Sequence, residues 1–306
     1  MIRRFWTVVL GLYLLVFVWP IFSQEVILRD DWGRECRVLD AAQRIISLSP
    51  ANTEIIFALG LGDRLIGVTS YCNYPKEAQT KEKVGNVTEI DLERVVRLEP
   101  DLVLAGSLTP REVVDKLEEL GIRVFVLDAH TIEEVFEDIG KVAILAGIEN
   151  EGEEFVKILR DELTQITQKV IMLPAEQKPR LLHVIWHDPI WTAGRNTFID
   201  EFIRLGGGVN VVSDLEGYIT LSLEELLRRN PDVITVVSAH GSEAISYDFL
   251  LSDERLQAVR AIQERKVFLV DSDLVSRPGP RVVEALAVFA RILHPETFGA
   301  YESPAK

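Results

Sequence analysis

The chain has 306 residues, of which 47% are hydrophobic, and its formal net charge is −15 at pH 7. This length allows one large or two ordinary domains, each with enough apolar material for a core. The acidic balance makes nucleic acids and anionic membrane surfaces poor partners, because both carry negative charge themselves. We therefore expect no nucleic-acid partner.

The first 23 residues have the pattern of an export signal. Arg3 and Arg4 precede an apolar run at 5–18, and the small residue Ser23 offers a cleavage position. The alternative is an uncleaved membrane anchor, since residues 19–22 could extend the apolar run. We predict a signal peptide at 1–23 and an exported mature protein.

The only two cysteines, Cys36 and Cys72, could form a disulfide in an oxidising compartment. They fall in different predicted elements. The sequence leaves open whether they pair or remain two buried thiols.

Short apolar strands alternate with helices through the first half of the chain. Residues 24–43 are polar and predict a short hairpin at the edge of a lobe. This alternation predicts a parallel sheet with helices on both faces. In chain order we predict a strand at 45–48, a helix at 50–59, strands at 65–68 and 102–105, a helix at 110–120, a strand at 124–127 and a helix at 132–146.

Residues 150–172 are predicted to form one long amphipathic helix. Asn150 and Glu153 fit a capping box at its start, and Pro174 follows its last apolar position. The apolar residues recur at spacings of three and four, which places them on one stripe: Phe155, Leu159, Leu163, Ile166 and Val170.

A pattern before this helix recurs after it. Residues 92–103 and 223–234 each predict a short helix, a Pro-Asp turn and a buried strand, and Asp91 and Ser222 are equivalent helix caps. We predict two lobes of similar build: a first lobe at 24–149, a connecting helix at 150–173 and a second lobe at 174–306.

The second half resumes the alternation of strands and helices. The glycine run at 206–208 follows a predicted helix rather than a strand, so it is interpreted as a helix stop and not as a dinucleotide-binding loop. The predicted elements are a strand at 181–185, a helix at 198–205, a strand at 233–237, a helix at 253–259, a strand at 267–270 and a helix at 280–293.

Catalytic motifs are absent from the sequence. It contains no nucleophile elbow, no phosphate-binding loop and no zinc-protease motif. The five histidines lack zinc-type spacing; His183 and His187 are four apart, but across a predicted strand end. We predict a binding protein rather than an enzyme, with no metal site and no resident cofactor.

Aromatic and polar residues fall in predicted loops that follow strands, including 71–75, 186–195 and 273–280. Ligands of open parallel sheets bind beyond the carboxyl ends of the strands, and flat rings suit a large, partly apolar ligand. Core packing is the alternative for each aromatic, and a solvated turn is the alternative for 277–281. The candidates are Tyr71, Tyr74, Trp186, His187, Trp191, Tyr218, Asp273, Arg277 and Arg281.

Several of these segments together resemble the substrate-binding proteins of bacterial ABC importers for cobalamin, haem and ferric siderophores. They span nearly the whole mature chain: 44–54, 67–75, 92–105, 191–194, 223–234 and 277–281. The resemblance implies an α/β fold of two Rossmann-like lobes with parallel sheets, joined by a single long backbone helix. It also implies a monomer in the periplasm or on the outer face of the cytoplasmic membrane.

The cobalamin-binding members are the most similar, which implies a corrinoid as the transported ligand. Tyr71, Trp191 and Tyr218 then match ligand-contacting aromatics. Trp186 and His187 stand where those members have other residues, and Val87 and Gly106 replace tryptophans. A further matching segment ends in arginine and comprises Asp273, Leu274, Val275, Ser276 and Arg277.

Two alternatives remain open at this point. Haem or a ferric siderophore could occupy the same cleft, with His187 or a tyrosine on iron and Arg277 and Arg281 facing carboxylates. An enzyme on the same fold is the second alternative.

The repeat also has a role that the resemblance implies. Glu93 and Glu224, one in each lobe, match glutamates that dock onto arginines of the permease dimer. Equivalent carboxylates at equivalent helix starts suit a two-fold partner. The alternative is that both carboxylates simply stabilise helix N-termini through the helix dipole.

Overall fold

Two large β-sheets, one before and one after a long helix in the chain, form the frame of the molecule. The computed structural model describes residues 26–174, 178–238 and 245–303. The predicted signal segment at 1–23 lies outside these residues. The N-terminal lobe is the described chain before the long helix, and the C-terminal lobe is the described chain after it.

The N-terminal lobe begins with an antiparallel hairpin, as predicted, and continues as a parallel sheet. The hairpin strands are β1 (Val26–Arg29) and β2 (Glu35–Val38); the sheet strands are β3 (Ile45–Ser47), β4 (Leu65–Val68), β5 (Glu82–Lys83), β6 (Leu102–Gly106) and β7 (Val124–Leu127). The strand order is β5-β4-β3-β6-β7, and every pair is parallel. Every residue of β3, β6 and β7 is buried, because elements cover both faces of the sheet.

The helices of this lobe lie close to their predicted positions. They are α1 (Pro50–Ala58), α2 (Leu92–Arg97), α3 (Arg111–Glu119) and α4 (Ile132–Leu145), with 3-10 turns at Gly62–Arg64 and Lys76–Thr80. Gly60 and Gly147 have positive φ angles of 72° and 69° and follow the C-cap residues of α1 and α4, where glycine ends a helix at little cost.

The connecting helix is α5 (Glu149–Ile171), one residue earlier than predicted. The capping box at Asn150 is wrong: Asn150 lies inside the helix, and the N-cap Ile148 makes no side-chain cap. The tight turn after α4 fixes this start instead. A Cβ on Gly152 would lie 2.2 Å from Ala143 Cβ, so glycine permits the close packing of α5 on α4. Because α5 also packs on the last long helix, it contacts both lobes.

The C-terminal lobe contains six strands and most of the short helices. The strands are β8 (Arg180–His187), β9 (Ile190–Ala193), β10 (Val209–Asn210), β11 (Tyr218–Leu221), β12 (Val233–Ser238) and β13 (Val267–Asp271). The helices are α6 (Phe198–Leu205), α7 (Leu223–Arg229), α8 (Ile245–Ser252), α9 (Arg260–Gln263), α10 (Ser272–Ser276), α11 (Val282–Leu293) and α12 (Pro295–Phe298), with a 3-10 turn at Glu254–Leu256. The predicted helix at 253–259 is therefore wrong, since this segment holds only the 3-10 turn.

The sheet of this lobe is mixed rather than purely parallel. Its order is β11-β9-β8-β12-β13, with β10 beside the start of β8. The pairs of β12 with β8 and β13 are parallel, whereas β9 runs antiparallel to β8 and β11. The predicted loop at 186–195 is wrong, because Asp188 and Pro189 form a tight turn and the chain returns as β9.

The internal repeat is confirmed in both lobes. The Asp91 side chain accepts a hydrogen bond from the backbone N–H of Arg94, and Ser222 accepts one from Glu225. Each helix then leads to a buried parallel strand, β6 or β12. With α5 between the two sheets, the predicted fold class of two lobes joined by one long helix is confirmed.

His183 is buried in β8 and gives stability a dependence on pH. Burial lowers its pKa to about 3, and its Nδ1 lies 2.9 Å from Thr235 Oγ1. The unfolded chain takes up this proton near pH 6.5, but the folded chain does not. The free energy of unfolding should therefore fall between pH 6.5 and pH 3, with a contribution on the order of 4 kcal/mol from His183.

Denaturant titrations of the wild type and His183→Gln across this pH range test the expectation. The variant should lose less stability on acidification than the wild type, and His130→Gln, which changes an exposed histidine, should follow the wild type. Parallel curves for wild type and His183→Gln would contradict the assignment.

Two further observations complete the fold. Cys36 and Cys72 are both buried free thiols, so no disulfide joins them. Within the described ranges, no helix combines the length and the apolar character needed to cross a membrane.

Candidate functional site

A cavity of about 420 Å³ lies where the two lobes meet, within the roughly 300–1,000 Å³ range of ligand sites. Its N-terminal wall comes from the segments that follow β3, β4, β6 and β7, at the carboxyl ends of those strands. Its C-terminal wall comes from α10 and the turn after it. The polar side chains that line it are Ser49, Asn52, Tyr71, Ser107, Thr109, Asp138, Asp273, Ser276 and Arg277.

One buried carboxylate joins the lobes beside this cavity. Glu54 on α1 has a side chain that is only 1% exposed. Its Oε1 accepts hydrogen bonds from Arg277 Nη1 at 2.9 Å and Arg281 Nη2 at 2.7 Å, and its Oε2 accepts one from Arg281 Nε at 2.8 Å. We call these three residues the Glu54 cluster. Burial opposes ionisation of Arg281, but the hydrogen bonds that Arg281 donates to Glu54 outweigh it and raise the Arg281 pKa.

A second set of contacts crosses the lobes next to the Glu54 cluster. Arg277 Nη1 donates to Asn73 Oδ1 at 2.8 Å, and Asn73 Nδ2 donates to Asp273 Oδ2 at 3.0 Å. The guanidinium of Arg281 lies 4.0 Å from the ring centroid of Tyr74, in cation–π contact. The predicted turn at 277–281 is therefore an ordered interlobe contact rather than a solvated turn.

The other predicted aromatics form a separate surface on the C-terminal lobe. Trp186 lies opposite Trp191 across β8 and β9, and the rings of Trp191 and Tyr218 are 5.9 Å apart. These three residues are 42–54% exposed, which excludes core packing for them. We call them the aromatic surface; they lie on strands rather than in the predicted loops.

His187 is less exposed to solvent than the three residues of the aromatic surface. Its ring packs between Trp186 and Phe249, at 4.5 and 4.9 Å, and its Nδ1 lies 3.0 Å from Ser246 Oγ. The described residues contain no group of three or more His, Cys, Asp or Glu side chains arranged to hold a metal ion.

The predicted site residues thus fall into three groups. The structure brings Tyr71, Asp273, Ser276 and Arg277 together around the cavity. Trp186, Trp191 and Tyr218 form the aromatic surface, with His187 beside it. Leu274 and Val275 pack into the hydrophobic core and do not line the cavity, because α10 turns its apolar face inward.

Small residues enlarge the cavity at two positions noted in the sequence. Val87 and Gly106 both line it. A Cβ on Gly106 would lie 2.7 Å from Ser49 Cβ, so a larger residue there requires the cavity wall to move.

Asp138 on α4 was missed by the sequence analysis. Its side chain is 3% exposed, and its Oδ1 accepts a hydrogen bond from Lys141 Nζ at 2.9 Å. Burial raises the pKa of Asp138 to about 7, since the lysine only partly offsets desolvation and Asp31 adds repulsion. Lys141 keeps its proton, with its pKa raised by Asp31 and Asp138 in spite of burial.

Glu54 and Asn73 were also missed. Glu54 lies in a segment that resembles the family, yet a single carboxylate on an apolar helix gives no indication of partners more than 200 residues away. One feature of the sequence could have indicated the pairing. Glu54 is an isolated acid on an apolar helix, and two arginines flank the Pro-Gly-Pro turn at 278–280.

Glu93 and Glu224 lie in the first turns of α2 and α7, at equivalent positions of the repeat. Both are exposed. Neither has an ion-pair partner in the part of the chain that the structure describes, whereas the neighbouring Glu225 pairs with Arg228 and Arg229.

Sequence comparisons agree with this architecture. Residues 45–274 match the model of the family described as periplasmic binding protein. The chain is 31% identical over 278 residues to the ABC transporter substrate-binding lipoprotein YvrC of Bacillus subtilis, covering 89% of this chain and 87% of the relative. It is also 31% identical to a vitamin B12-binding protein of Vibrio parahaemolyticus, covering 81% and 88% of the two chains.

Solved structures give the same result. The vitamin B12-binding protein BtuF of Vibrio cholerae superposes with a TM-score of 0.69 at 29% identity, over 82% of this chain and 96% of that one. The heme-binding protein BhuT superposes with a TM-score of 0.76 at 28% identity, over 85% and 100% of the two chains. The chain therefore belongs to the periplasmic binding protein family, among the substrate-binding proteins of ABC transporters.

Proposed function

We propose that this protein is an extracytoplasmic, non-enzymatic receptor that captures a corrinoid between its lobes and delivers it to an ABC transporter permease. The observation that carries the proposal is the cavity between the lobes, which both lobes line with polar groups. The strands β8 and β13 are both parallel to β12, so their carboxyl ends lie at the same edge of the C-terminal sheet. The aromatic surface begins at the end of β8, and the cavity wall formed by α10 follows the end of β13. Relatives named vitamin B12-binding protein support the choice of ligand.

The proposal extends to location and assembly. The signal segment at 1–23 would direct export to the periplasm or the outer face of the cytoplasmic membrane. The lobes at 24–149 and 174–306 would then act as a monomer around the helix at 150–173. Glu93 and Glu224 would dock onto a permease dimer.

The absorption spectrum of the mature protein tests the ligand. Samples mixed separately with cobalamin, haemin and a ferric siderophore are desalted and measured in the visible range. We expect corrinoid bands at one-to-one stoichiometry. A colourless protein in all three samples would contradict the receptor proposal.

Haem is the second candidate ligand. The similarity in fold to BhuT, a heme-binding protein, supports it. An iron ligand could come from the exposed Tyr71 or from the Nε2 of His187, whose Nδ1 is held by Ser246. A retained haem band in place of the corrinoid bands would favour this candidate.

Truncation of Trp191 tests the aromatic surface. Trp191→Ala should weaken binding of a flat ring system by about 1–3 kcal/mol, because the ligand loses a large stacking partner. Isothermal titration measures the change, and Trp191→Phe, which keeps a ring, is the matched control. Unchanged affinity in Trp191→Ala would place the ligand away from this surface.

A further inference from the structure

The charges at the cavity are already paired before any ligand binds. Three charged side chains line it: Asp138, Asp273 and Arg277. The guanidinium of Arg277 contacts Glu54 at 2.9 Å and Asp273 at 2.5 Å. Arg277, which the sequence suggested as a partner for ligand carboxylates, is therefore already neutralised by two carboxylates of the protein.

The same holds on the N-terminal wall. Lys141, the partner of Asp138, also pairs with Asp31, so two carboxylates share one ammonium group. Within the described residues, the charged groups on the wall, their direct partners and the partners of those comprise four carboxylates and three cations. They are Asp31, Glu54, Asp138 and Asp273 against Lys141, Arg277 and Arg281.

The remaining polar lining consists of uncharged hydroxyl and amide groups. Ser49, Ser107 and Ser276 present hydroxyls, and Asn52 presents a carboxamide whose nitrogen donates to Ala105 O at 2.8 Å. A ligand carboxamide can donate to a carboxylate and exchange hydrogen bonds with a hydroxyl. A ligand carboxylate would instead lose its hydration beside a wall with an excess of negative charge.

We propose that this cavity selects ligands whose side groups are uncharged carboxamides and rejects those that carry carboxylates at the same positions. The inference rests on the proposed function and deepens it, since the periphery of a complete corrinoid is amidated. Haem carries two propionates and is disfavoured by the same wall. Arg277 and Arg281 act in the Glu54 cluster, not as receptors for ligand carboxylates.

Titration calorimetry of the mature protein at pH 8 tests the selection. The probes are cyanocobalamin and its monocarboxylic acids, in which one propionamide is hydrolysed. We expect the monocarboxylic acids to bind at least about tenfold more weakly, because like charges meet in a partly desolvated site. Equal affinities would overturn the selection and leave the receptor proposal intact. A protein that binds neither corrinoid would overturn both the selection and the corrinoid as ligand, and one that prefers haemin would overturn both while keeping the receptor role.

An uncharged substitution at Asp138 tests whether this residue causes the difference in affinity between the two probes. Asp138→Asn should reduce the difference between the two probes at least about threefold, because it removes one negative charge from the wall. Asp115→Asn, on an exposed position of α3, should leave it unchanged. An Asp138→Asn protein that folds and discriminates like the wild type would overturn the assignment.

The wild type supplies a second measurement that does not depend on the variant. Burial raises the pKa of Asp138 to about 7, and the charged groups that face it are Lys141 and Asp31. Discrimination should therefore be weaker at pH 6 than at pH 8. A difference that does not change with pH would argue against Asp138.

Discussion

Replacing Glu54 with alanine is expected to lower the free energy of unfolding by about 3–5 kcal/mol, because it leaves buried positive charge without its partner. The side chains of Arg277 and Arg281 are only 11% and 17% exposed, and both donate to Glu54 from the opposite lobe. Chemical denaturation followed by circular dichroism measures the change.

Two variants bracket this expectation. Glu54→Gln keeps the shape and one acceptor oxygen, and should be less destabilising than Glu54→Ala. Glu35→Ala breaks a surface ion pair in which the side chains of Glu35 and Arg29 are 61% and 68% exposed. It should lower the free energy of unfolding by ~1 kcal/mol or less. If Glu54→Ala is no more destabilising than Glu35→Ala, the Glu54 cluster does not hold the lobes together.

The double replacement of Glu93 and Glu224 with alanine is expected to abolish import while ligand affinity stays unchanged. Both carboxylates are exposed and lie at equivalent helix starts, and neither lines the cavity. Each proposed contact with a permease would be worth ~1 kcal/mol or less as an exposed pair, so the two together would set the register of docking. Uptake in cells and titration calorimetry on the purified variant measure the two effects separately.

A matched pair of substitutions controls for the loss of charge. Glu112→Ala with Glu119→Ala removes two exposed carboxylates from α3 and should leave both import and affinity unchanged. Loss of affinity in the Glu93/Glu224 variant would show that these residues support the fold or the cleft rather than docking.

Most of the fold was predictable because local patterns fix it. The strand at 65–68 and the helix at 198–205 match their predicted bounds, since each has an apolar run or stripe between clear stop signals. The antiparallel β9 was missed because a single Asp-Pro turn separates it from β8, and the aromatic residues on both sides were interpreted as loop residues. The start of α5 was missed because tertiary packing replaced a side-chain cap.

The residues of the candidate site were predictable only in segments that resemble the known family. Tyr71 and Arg277 were identified, but their arrangement depends on Glu54, which lies 223 residues from Arg277 in sequence. Asp138 was invisible for a similar reason. An acid within an amphipathic helix predicts a solvated face, whereas Asp138 is buried and shares Lys141 with Asp31 of the hairpin turn.

The close approach of α5 to α4 at Gly152 makes the helix and the N-terminal lobe one mechanical unit. A change in the separation of the lobes would bend α5 or shift it on α11, and would also have to break the Glu54 cluster. Such a change alters the spacing of Glu93 and Glu224. A partner with two fixed attachment points could thus distinguish a loaded receptor from an empty one by length alone, without contacting the cargo.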